Sequence, residues 1–480
     1  MQFNSFSYIL LFLPLTAAVY FLASRYRVYT GKLVLVLAGA VFYALGGWKS
    51  AVVLAVSLAV NFAFAKAMEK TSVPGRALLA VPVVLNAALL FVFKYTGFVL
   101  TNLNALGASF ALPELMLPLG ISFFTFQQIA YLAAVYKKEL LRADALDYLA
   151  YILYFPKLLM GPLMDPVDFV TQLNNASLKR PNAENIAAGL KLFSFGLFKK
   201  LLLADTFAKA VAWGFANTET ATAADWLLVM LFYTFEIYFD FSGYTDMATG
   251  SSLILNITLP INFDSPYRAL SIRDFWKRWH ISLTKFFTRY IYIPLGGSRR
   301  GLRRTIANTM LVFLVSGLWH GANWTFILWG LLHGVFMVFD RLFEKKENSV
   351  FPPVRWFLTF ALINILWLLF RAGSVSEWLG ILRTVFRLES TVVSSELLAV
   401  FRLPEFAFLS GVRPFLPLQS LDGIWAALFL VFSFSSSLTA RNNYKTMHRL
   451  SAVSMVFAAL AFLWDFVSLS APSVFLYFNF

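Results

Sequence analysis

Apolar runs about as long as a membrane-spanning helix recur along almost the whole chain, and they constrain its fold more than any other feature. The first covers about residues 6–24, and similar runs follow near 33–48, 50–68 and 77–97. About 20 apolar residues carry a helix across the hydrocarbon core of a bilayer. Hydrophobic residues make up 59% of the chain and charged residues only 14%, which excludes an ordinary soluble enzyme. We therefore expect an all-α integral membrane protein.

The later runs are harder to count. They lie near 115–136, 146–163, 186–213, 225–258, 305–320, 323–342, 355–371, 423–437 and 451–469. We expect about 11–13 crossings with additional re-entrant or interfacial helices, in a single domain over residues 1–480. The run at 225–258 exceeds the length of one crossing and contains Ser242, Gly243 and Gly250. We expect it to be broken there, as segments beside a watery cavity can be.

The positions of the basic residues predict the orientation. Clusters of Lys and Arg occupy the gaps at 25–32, 66–76, 137–142 and 441–449, whereas residues 1–7 and 101–114 contain none. Basic loops stay in the cytoplasm, so we expect a multi-pass membrane protein with both termini outside. The formal net charge of +15 then reflects membrane topology, not binding to nucleic acid. Cysteine is absent, which excludes disulfides and thiolate chemistry.

Residues 271–304 form the most basic segment. Ser271 and Asp274 resemble a capping box, and the apolar residues that follow have helical spacing. The predicted polar face carries Arg273, Lys277, His280 and Thr284, and Pro294, Gly296 and Gly297 then break the helix. We consider two interpretations of this amphipathic helix. One is an interfacial helix on anionic lipid, anchored by Trp276 and Trp279. The other is a surface that binds a polyanion, such as coenzyme A phosphates or an acidic carrier protein.

The chain has four histidines, and none shows the spacing of a metal site. His320 ends an apolar run and is followed by Gly321 and Asn323. An ionisable residue at membrane depth suggests function, and an imidazole is a good general base near neutral pH. An interhelical hydrogen bond is the alternative for His320. For His333 we expect packing and a hydrogen bond to a neighbouring helix.

Three acidic residues lie in the long run: Glu236, Asp240 and Asp246. We expect structural ion pairs for them, with partners such as Arg273 or Arg278. A proton pathway is the alternative.

Several long motifs resemble those of the membrane-bound O-acyltransferases. The central ones are RDFWKRWHISLTKFFTRYIYIPLGG (273–297) and GLWHGANWTFILWGLLHG (317–334), within a signature region at 271–334. YFDFSGYTDMA, LPLGISFFTFQQIAYLAAVY, FPKLLMGPL and GLFKKLLLAD are further matches. The resemblance is strongest to bacterial alginate and peptidoglycan O-acetyltransferases, and it covers essentially the whole chain.

The resemblance implies a ring of tilted helices around a central tunnel, with His320 as the catalytic base and His280 as a second histidine near the cytoplasmic entrance. It also implies acetyl-CoA as the donor substrate, with no bound cofactor. The implied acceptor is a cell-surface polysaccharide, reached through an extracytoplasmic partner of the SGNH type. The expected donor-binding and oxyanion-stabilising residues are Arg273, Trp276, Lys277, Arg278, Trp319 and Asn323, together with the backbone near Gly321.

The C-terminal tail, residues 471–480, ends in FLYFNF. Its Tyr477 matches a tyrosine that serves as an acyl relay in related D-alanylation systems. The alternative is a plain aromatic anchor at the membrane interface.

Three other functions stay open at this point. The chain could transfer D-alanine from a carrier protein, transport a polysaccharide or small molecule without acyl chemistry, or act as a scaffold for an exterior transferase.

Overall fold

The structure, a computed structural model, describes residues 1–347, 349–403, 422–469 and 473–476. The described residues are mostly helical and contain no β-strand. Their α-helices are α1 (Leu13–Ser24), α2 (Val28–Ala44), α3 (Trp48–Glu69), α4 (Arg76–Ala105), α5 (Ile121–Tyr136), α6 (Ala145–Leu153), α7 (Phe155–Leu158), α8 (Pro166–Asn174), α9 (Ala183–Phe198), α10 (Asp205–Ala216), α11 (Ala223–Ile254), α12 (Ile272–Arg278), α13 (Ile281–Phe287), α14 (Leu302–His320), α15 (Trp324–Glu347), α16 (Pro352–Arg371), α17 (Val375–Arg387), α18 (Ser395–Ala399), α19 (Asp422–Leu438) and α20 (Ala452–Ser468). Three π-helical segments, Ser7–Phe12, Lys199–Ala204 and Thr288–Tyr292, extend or join them.

Five helical stretches of the described residues are long and apolar enough to cross a membrane: Ser7–Ser24, Trp48–Glu69, Arg76–Ala105, Trp324–Glu344 and Pro352–Arg371. The helices α2, α5, α19 and α20 are apolar but shorter. The protein is thus an all-α, multi-pass membrane protein, as the apolar runs predict. The number of crossings stays a prediction.

The predicted break in the run at 225–258 is wrong, because α11 is one continuous helix of 32 residues. Its glycines serve packing against α9. A Cβ atom on Gly243 would lie 2.7 Å from the Gly196 carbonyl oxygen, and one on Gly250 would lie 2.6 Å from that of Gly189. Small residues let two helix backbones approach closely inside a membrane. The glycines therefore hold α9 and α11 together without interrupting α11.

The single amphipathic helix predicted after Ser271 is also wrong, because the chain forms two short helices, α12 and α13. His280 separates them and adopts a left-handed conformation with φ 44°. Only half of the predicted capping box forms: Ser271 Oγ accepts the Asp274 N–H, whereas the Asp274 carboxylate accepts the Leu270 N–H. The turn after α13 does form, with positive φ at Gly296 and Gly297.

The two ends of the molecule can be followed along α4 and α5. After α5, Lys138 Nζ donates hydrogen bonds to the Met68 and Thr71 carbonyls, close to where α4 begins. We call this end, which carries residues 137–142, the basic side. The connection at 106–120 lies at the other end of α4 and α5, which we call the loop side. These names locate the cavities described below.

Candidate active site

His320 is the last residue of α14, and its side chain is buried. Aromatic rings surround the imidazole: the ring centroids of Trp319, Trp329 and Phe370 lie 4.8, 5.2 and 5.1 Å away. Such an apolar environment favours the neutral imidazole, which is the form that can accept a proton. The burial of His320 agrees with a functional role at membrane depth.

Glycines bring α14 close to α15 and so fix the end that carries His320. A Cβ atom on Gly317 would lie 2.3 Å from the Phe326 carbonyl oxygen, and one on Gly330 would lie 2.4 Å from that of Phe313. Neither position can accept a larger residue without moving a backbone. The glycines of the motif GLWHGANWTFILWG thus set the position of the histidine.

Two side chains of α4 hold the C-terminal carbonyls of α14. Lys94 Nζ donates to the carbonyl oxygens of Trp319 (2.6 Å) and His320 (2.9 Å). The Tyr95 hydroxyl donates to the carbonyl oxygen of Leu318 at 2.5 Å. These carbonyls have no partner within an α-helix, so α4 completes the hydrogen bonding of α14 beside His320.

A small cavity of about 110 Å³ opens next to His320 on the loop side. His320, Trp319 and Lys94 contribute to its wall, together with the start of α5 and residues 159–160. Its volume is about one-eighth of that of a second cavity on the basic side.

A large cavity of about 880 Å³ lies on the basic side of the same elements. Its wall includes Phe126, Gln127 and Ala130 of α5 and Leu163 and Met164, three or more residues beyond those that line the small cavity. A helix rises about 1.5 Å per residue, so the two cavities succeed each other along α5 within about one turn. This volume falls within the usual range of ligand pockets.

Three stacked rings separate the two cavities. Phe126 lies between Phe286 and Trp319, with ring centroids 4.3 and 5.5 Å away and interplanar angles of 19° and 15°. Phe126 and Phe286 line the large cavity, and Trp319 lines the small one. The partition between the cavities is thus only aromatic side chains thick at this point.

His280 packs against Trp319 from another direction, with ring centroids 6.2 Å apart. Its Nδ1 lies 3.1 Å from Asn262 Oδ1, which also accepts the Ser282 N–H and hydroxyl. A backbone N–H can only donate, so this Asn262 atom is the oxygen, and the Nδ1 of His280 carries the proton. Burial of His280 contradicts its expected place on a polar face. The left-handed backbone at this residue changes the direction of the side chain.

The charged residues of the large cavity differ from the expected ones. Lys285 and Arg289 line it, with Asp165 and Asp168. Arg289 forms ion pairs with Asp165 and with Glu139, the latter at 2.5 Å. Burial lowers the pKa of the Arg289 guanidinium, but Tyr290 and the two carboxylates raise it more, so its net pKa lies above the usual value.

The structure places the predicted donor-binding residues of α12 elsewhere. Arg273 pairs with Glu344 (2.8 Å), Arg278 pairs with Asp274 (2.8 Å), and Lys277 is exposed. None of the three is among the described residues that line the large or the small cavity. Their role in donor binding stays a prediction.

Trp276 and Trp279 are buried in the protein, so the interpretation of these side chains as lipid anchors is wrong. The Trp276 indole N–H donates to Nδ1 of His333 at 3.2 Å, which confirms the expected packing of His333 with a neighbouring helix. A role of Trp276 in donor binding stays a prediction. Asn323 caps α15: its Oδ1 accepts the Thr325 N–H and its Nδ2 donates to the Gly373 carbonyl.

Two of the acids in α11 form ion pairs, but not with the expected arginines. Asp240 binds Lys200 at 2.7 Å, and Asp246 binds Lys199 at 2.7 Å. Both lysines belong to the π-helical segment after α9. Glu236 is buried and takes part in none of the ion pairs found in the described residues.

The described part of the C-terminal tail, residues 473–476, reaches this ion pair. The Leu476 N–H donates to Asp240 Oδ2 (2.9 Å), and Lys200 Nζ donates to the Val474 carbonyl (3.0 Å). Phe475 is fully buried, with its ring centroid 4.6 Å from Lys200 Nζ. Tyr477 itself lies outside the described residues, so its predicted role is untested.

Sequence reasoning missed Lys94 and Asn262. A lysine inside the apolar run at 77–97 is a signal that could have identified Lys94. Asn262 carries no comparable signal, because its partners are fixed only by the fold. Among the described residues no cluster of His, Asp and Glu could hold a metal ion.

Comparison with known proteins now identifies the family. Residues 121–372 match the membrane-bound O-acyltransferase family. The peptidoglycan O-acetyltransferase of Helicobacter pylori is 37% identical, over 100% of this chain and 97% of that protein. The probable alginate O-acetylase AlgI of Pseudomonas aeruginosa is 37% identical, over 78% of this chain and 73% of its own length. The teichoic acid D-alanyltransferase of Bacillus subtilis is 30% identical, over 51% and 65% of the two chains.

The family match covers more than half of the chain and includes His280, His320, α11 and the three-ring stack. The relatives confirm the resemblance that the motifs suggest. This chain belongs to the membrane-bound O-acyltransferase family, and it is a multi-pass O-acyltransferase.

Proposed function

We propose that this protein passes an acetyl group from cytoplasmic acetyl-CoA to an extracytoplasmic acceptor. The proposed final acceptor is a cell-surface polysaccharide, reached through a partner of the SGNH type. The two relatives at 37% identity are named for O-acetylation of peptidoglycan and alginate, which supports an acetyl group and a polymer. The distribution of basic loops supports an inner-membrane protein with the basic side in the cytoplasm and both termini outside.

The observation that carries the proposal is the pair of cavities that the three-ring stack separates. The large cavity has room for a bulky thioester, which would enter from the basic side, and Lys285 is the lining cation that takes part in none of the ion pairs found in the described residues. The small cavity has room for a two-carbon acyl group but not for a nucleotide. Transfer across the partition therefore needs to move only the acetyl group.

His320 is the proposed general base. It takes the proton from an attacking hydroxyl while the hydroxyl oxygen forms a bond to the thioester carbon. The tetrahedral intermediate then collapses, the carbon–sulfur bond breaks, and the coenzyme A thiolate takes the proton back from the imidazolium. A well-placed base contributes roughly 10²–10⁴-fold to such a step.

Tyr477 is the proposed first acceptor. Its neighbours at 473–476 are anchored within the helices by Lys200 and Asp240, which supports an inward position for the tail. Phe475 also packs against Tyr244, whose hydroxyl interacts with the Met160 backbone at the small cavity. The acetylated tyrosine would then pass the group to the exterior partner.

Similarity to the teichoic acid D-alanyltransferase favours one alternative, the transfer of a D-alanyl group from a carrier protein. One assay can distinguish acetyl-CoA from a D-alanyl carrier protein as the donor. A transporter would hydrolyse neither donor and would form no acyl adduct.

The test uses the full chain in proteoliposomes with acetyl-labelled coenzyme A, followed by peptide mass spectrometry. We expect a labelled adduct on Tyr477 in the wild type and no such adduct in Tyr477→Phe. Phe478→Leu is the matched control, because it removes an aromatic ring from the same tail and keeps the hydroxyl. An adduct that forms only when a D-alanyl carrier protein replaces acetyl-CoA would indicate the alternative donor.

Acetate release without an adduct would contradict the tyrosine relay but not acetyl transfer. Absence of turnover with either donor, even with cell extract that supplies the partner, would contradict the proposed function.

A further inference from the structure

Lys94 lies in the middle part of α4, and none of the ion pairs found in the described residues includes it. Its ammonium group has three N–H donors. Two of them bind the carbonyl oxygens of Trp319 and His320. A charged side chain within a spanning helix is costly to bury and is often functional, so its presence calls for a reason.

Capping α14 is not a sufficient reason for a charge. The neighbouring Tyr95 binds the Leu318 carbonyl of the same helix end through a neutral hydroxyl. A neutral donor could serve the next two carbonyls in the same way. The positive charge of Lys94 therefore points to a partner that carries or develops negative charge.

The cavity beside Lys94 is where such a charge would form. Lys94, Trp319 and His320 all line the small cavity of about 110 Å³. The indole N–H of Trp319 is buried and has no acceptor in the described residues. Two residues with hydrogen-bond donors and a candidate base thus line the same cavity.

We propose that the Lys94 ammonium, together with the Trp319 indole N–H, forms the oxyanion-binding site of the acyl transfer. The inference rests on the proposed function. When the hydroxyl oxygen bonds to the acyl carbon, the carbonyl electron pair moves onto oxygen, and the proton goes to His320. The third N–H of Lys94 and the Trp319 N–H donate to this oxygen. The carbonyl re-forms as the thiolate leaves and takes the proton from His320.

The other candidates for this role are engaged elsewhere. The Asn323 side chain is committed to the Gly373 carbonyl and the Thr325 N–H. The Gly321 N–H donates to the Gly317 carbonyl at 3.4 Å. Of the candidates considered, Lys94 and Trp319 line the cavity with His320, and the Ser122 hydroxyl at the start of α5 lines it as a neutral group.

The test compares Lys94→Met with Lys94→Arg in the full chain, under steady-state conditions with acetyl-CoA. Methionine keeps the length of the side chain but removes the charge and the donors. We expect kcat to fall by about 10²–10³-fold, the cost of one lost oxyanion donor, with the KM for acetyl-CoA unchanged. Arginine keeps a charged donor and should retain more activity than methionine.

Tyr95→Phe is the matched control, because it removes the neighbouring bond to α14 without touching the cavity wall. We expect it to keep most of the wild-type kcat. Equal losses in Tyr95→Phe and Lys94→Met would overturn the proposal and assign Lys94 to helix positioning. Wild-type kcat in Lys94→Met would also overturn it.

Binding of a trifluoromethyl ketone analogue of acetyl-CoA, whose hydrate resembles the tetrahedral intermediate, gives a readout independent of turnover. We expect Lys94→Met to weaken the binding of this analogue and to leave the binding of coenzyme A unchanged. Equal weakening of both would contradict the proposal. If Lys94→Met fails to fold, Lys94→Gln tests the charge alone, because glutamine keeps N–H donors but is neutral; we expect it to lower kcat and to bind the analogue more weakly than the wild type does. Failure of the wild type to use any acyl thioester would instead contradict the proposed function.

Discussion

His320 and His280 both pack against Trp319, yet the protein holds them in different ways. His320 ends a regular helix, and side chains of α4 complete the hydrogen bonds of that helix end. His280 occupies a left-handed turn between two short helices, and Asn262 fixes its ring. His320 lines the small cavity, whereas His280 is not among the described residues that line either cavity. His320 can therefore contact a substrate in the small cavity, whereas His280 supports Trp319 in the ring stack.

Substitution of the two histidines tests this difference most strongly. We expect His320→Ala to lower kcat by about 10²–10⁴-fold, the usual contribution of a general base. His280→Ala should cost less, because its ring packs against Trp319 and lines neither the small nor the large cavity. Acetyl transfer from labelled acetyl-CoA in proteoliposomes measures both, with thermal unfolding to show that each variant is folded. An equal loss in both variants would break the distinction and place His280 in the chemistry.

Asn262 gives a second way to sharpen the comparison. Asn262→Ala leaves His280 Nδ1 and the Ser282 N–H and hydroxyl without their acceptor. A buried donor without a partner costs about 1–3 kcal/mol, so we expect a lower free energy of unfolding by about that amount. Chemical denaturation of the purified protein in detergent measures the change, where unfolding is reversible.

Asn262→Asp is the control, because its carboxylate keeps an acceptor at the same place. It should retain more stability than the alanine variant. If both variants lose the same stability, Asn262 does not act through its Oδ1 acceptor, and the account of how His280 is held fails.

The sequence predicted the membrane class and many helices because hydropathy is a local property. The run near 50–68 corresponds to α3 (Trp48–Glu69), and the run near 115–136 includes α5 (Ile121–Tyr136). His320 could be identified as a candidate for the same reason, because an ionisable residue at the end of an apolar run is visible in the local sequence. The family resemblance added roles that no local pattern supplies.

Errors arose where one residue type serves two purposes. Gly243 and Gly250 suggested a broken helix, but they permit contact with α9, and only the packed structure distinguishes these uses. At His280, one left-handed residue changes the helical phase, so the predicted polar face does not exist there. Its partner Asn262 is 18 residues away, and the lysine partners of Asp240 and Asp246 are 40 and 47 residues away. Such long-range pairs leave no periodic pattern in a sequence.

The smallest expected effect concerns the three-ring stack, whose Trp319 packs against both histidines. Phe126→Leu removes the central ring of the stack, which is worth about 0.5–1.5 kcal/mol beyond its buried area. We expect a modest fall in stability. We also expect a larger share of acetyl-CoA to be lost as free acetate, because a closed site keeps water away from the thioester and the variant would admit it. The ratio of acetate released to acetyl transferred measures this leak.

Phe286→Leu is the matched control for Phe126→Leu. It breaks the stack on the side of the large cavity and leaves the contact between Phe126 and Trp319 in place. We expect a similar loss of stability with a wild-type ratio of acetate to transferred acetyl. If Phe286→Leu leaks as much as Phe126→Leu, the barrier to water is not the contact between Phe126 and Trp319, and the separation of the two cavities must depend on other residues. If neither leaks, the small cavity excludes water by its volume alone, and His320 meets the acyl group without help from the stack.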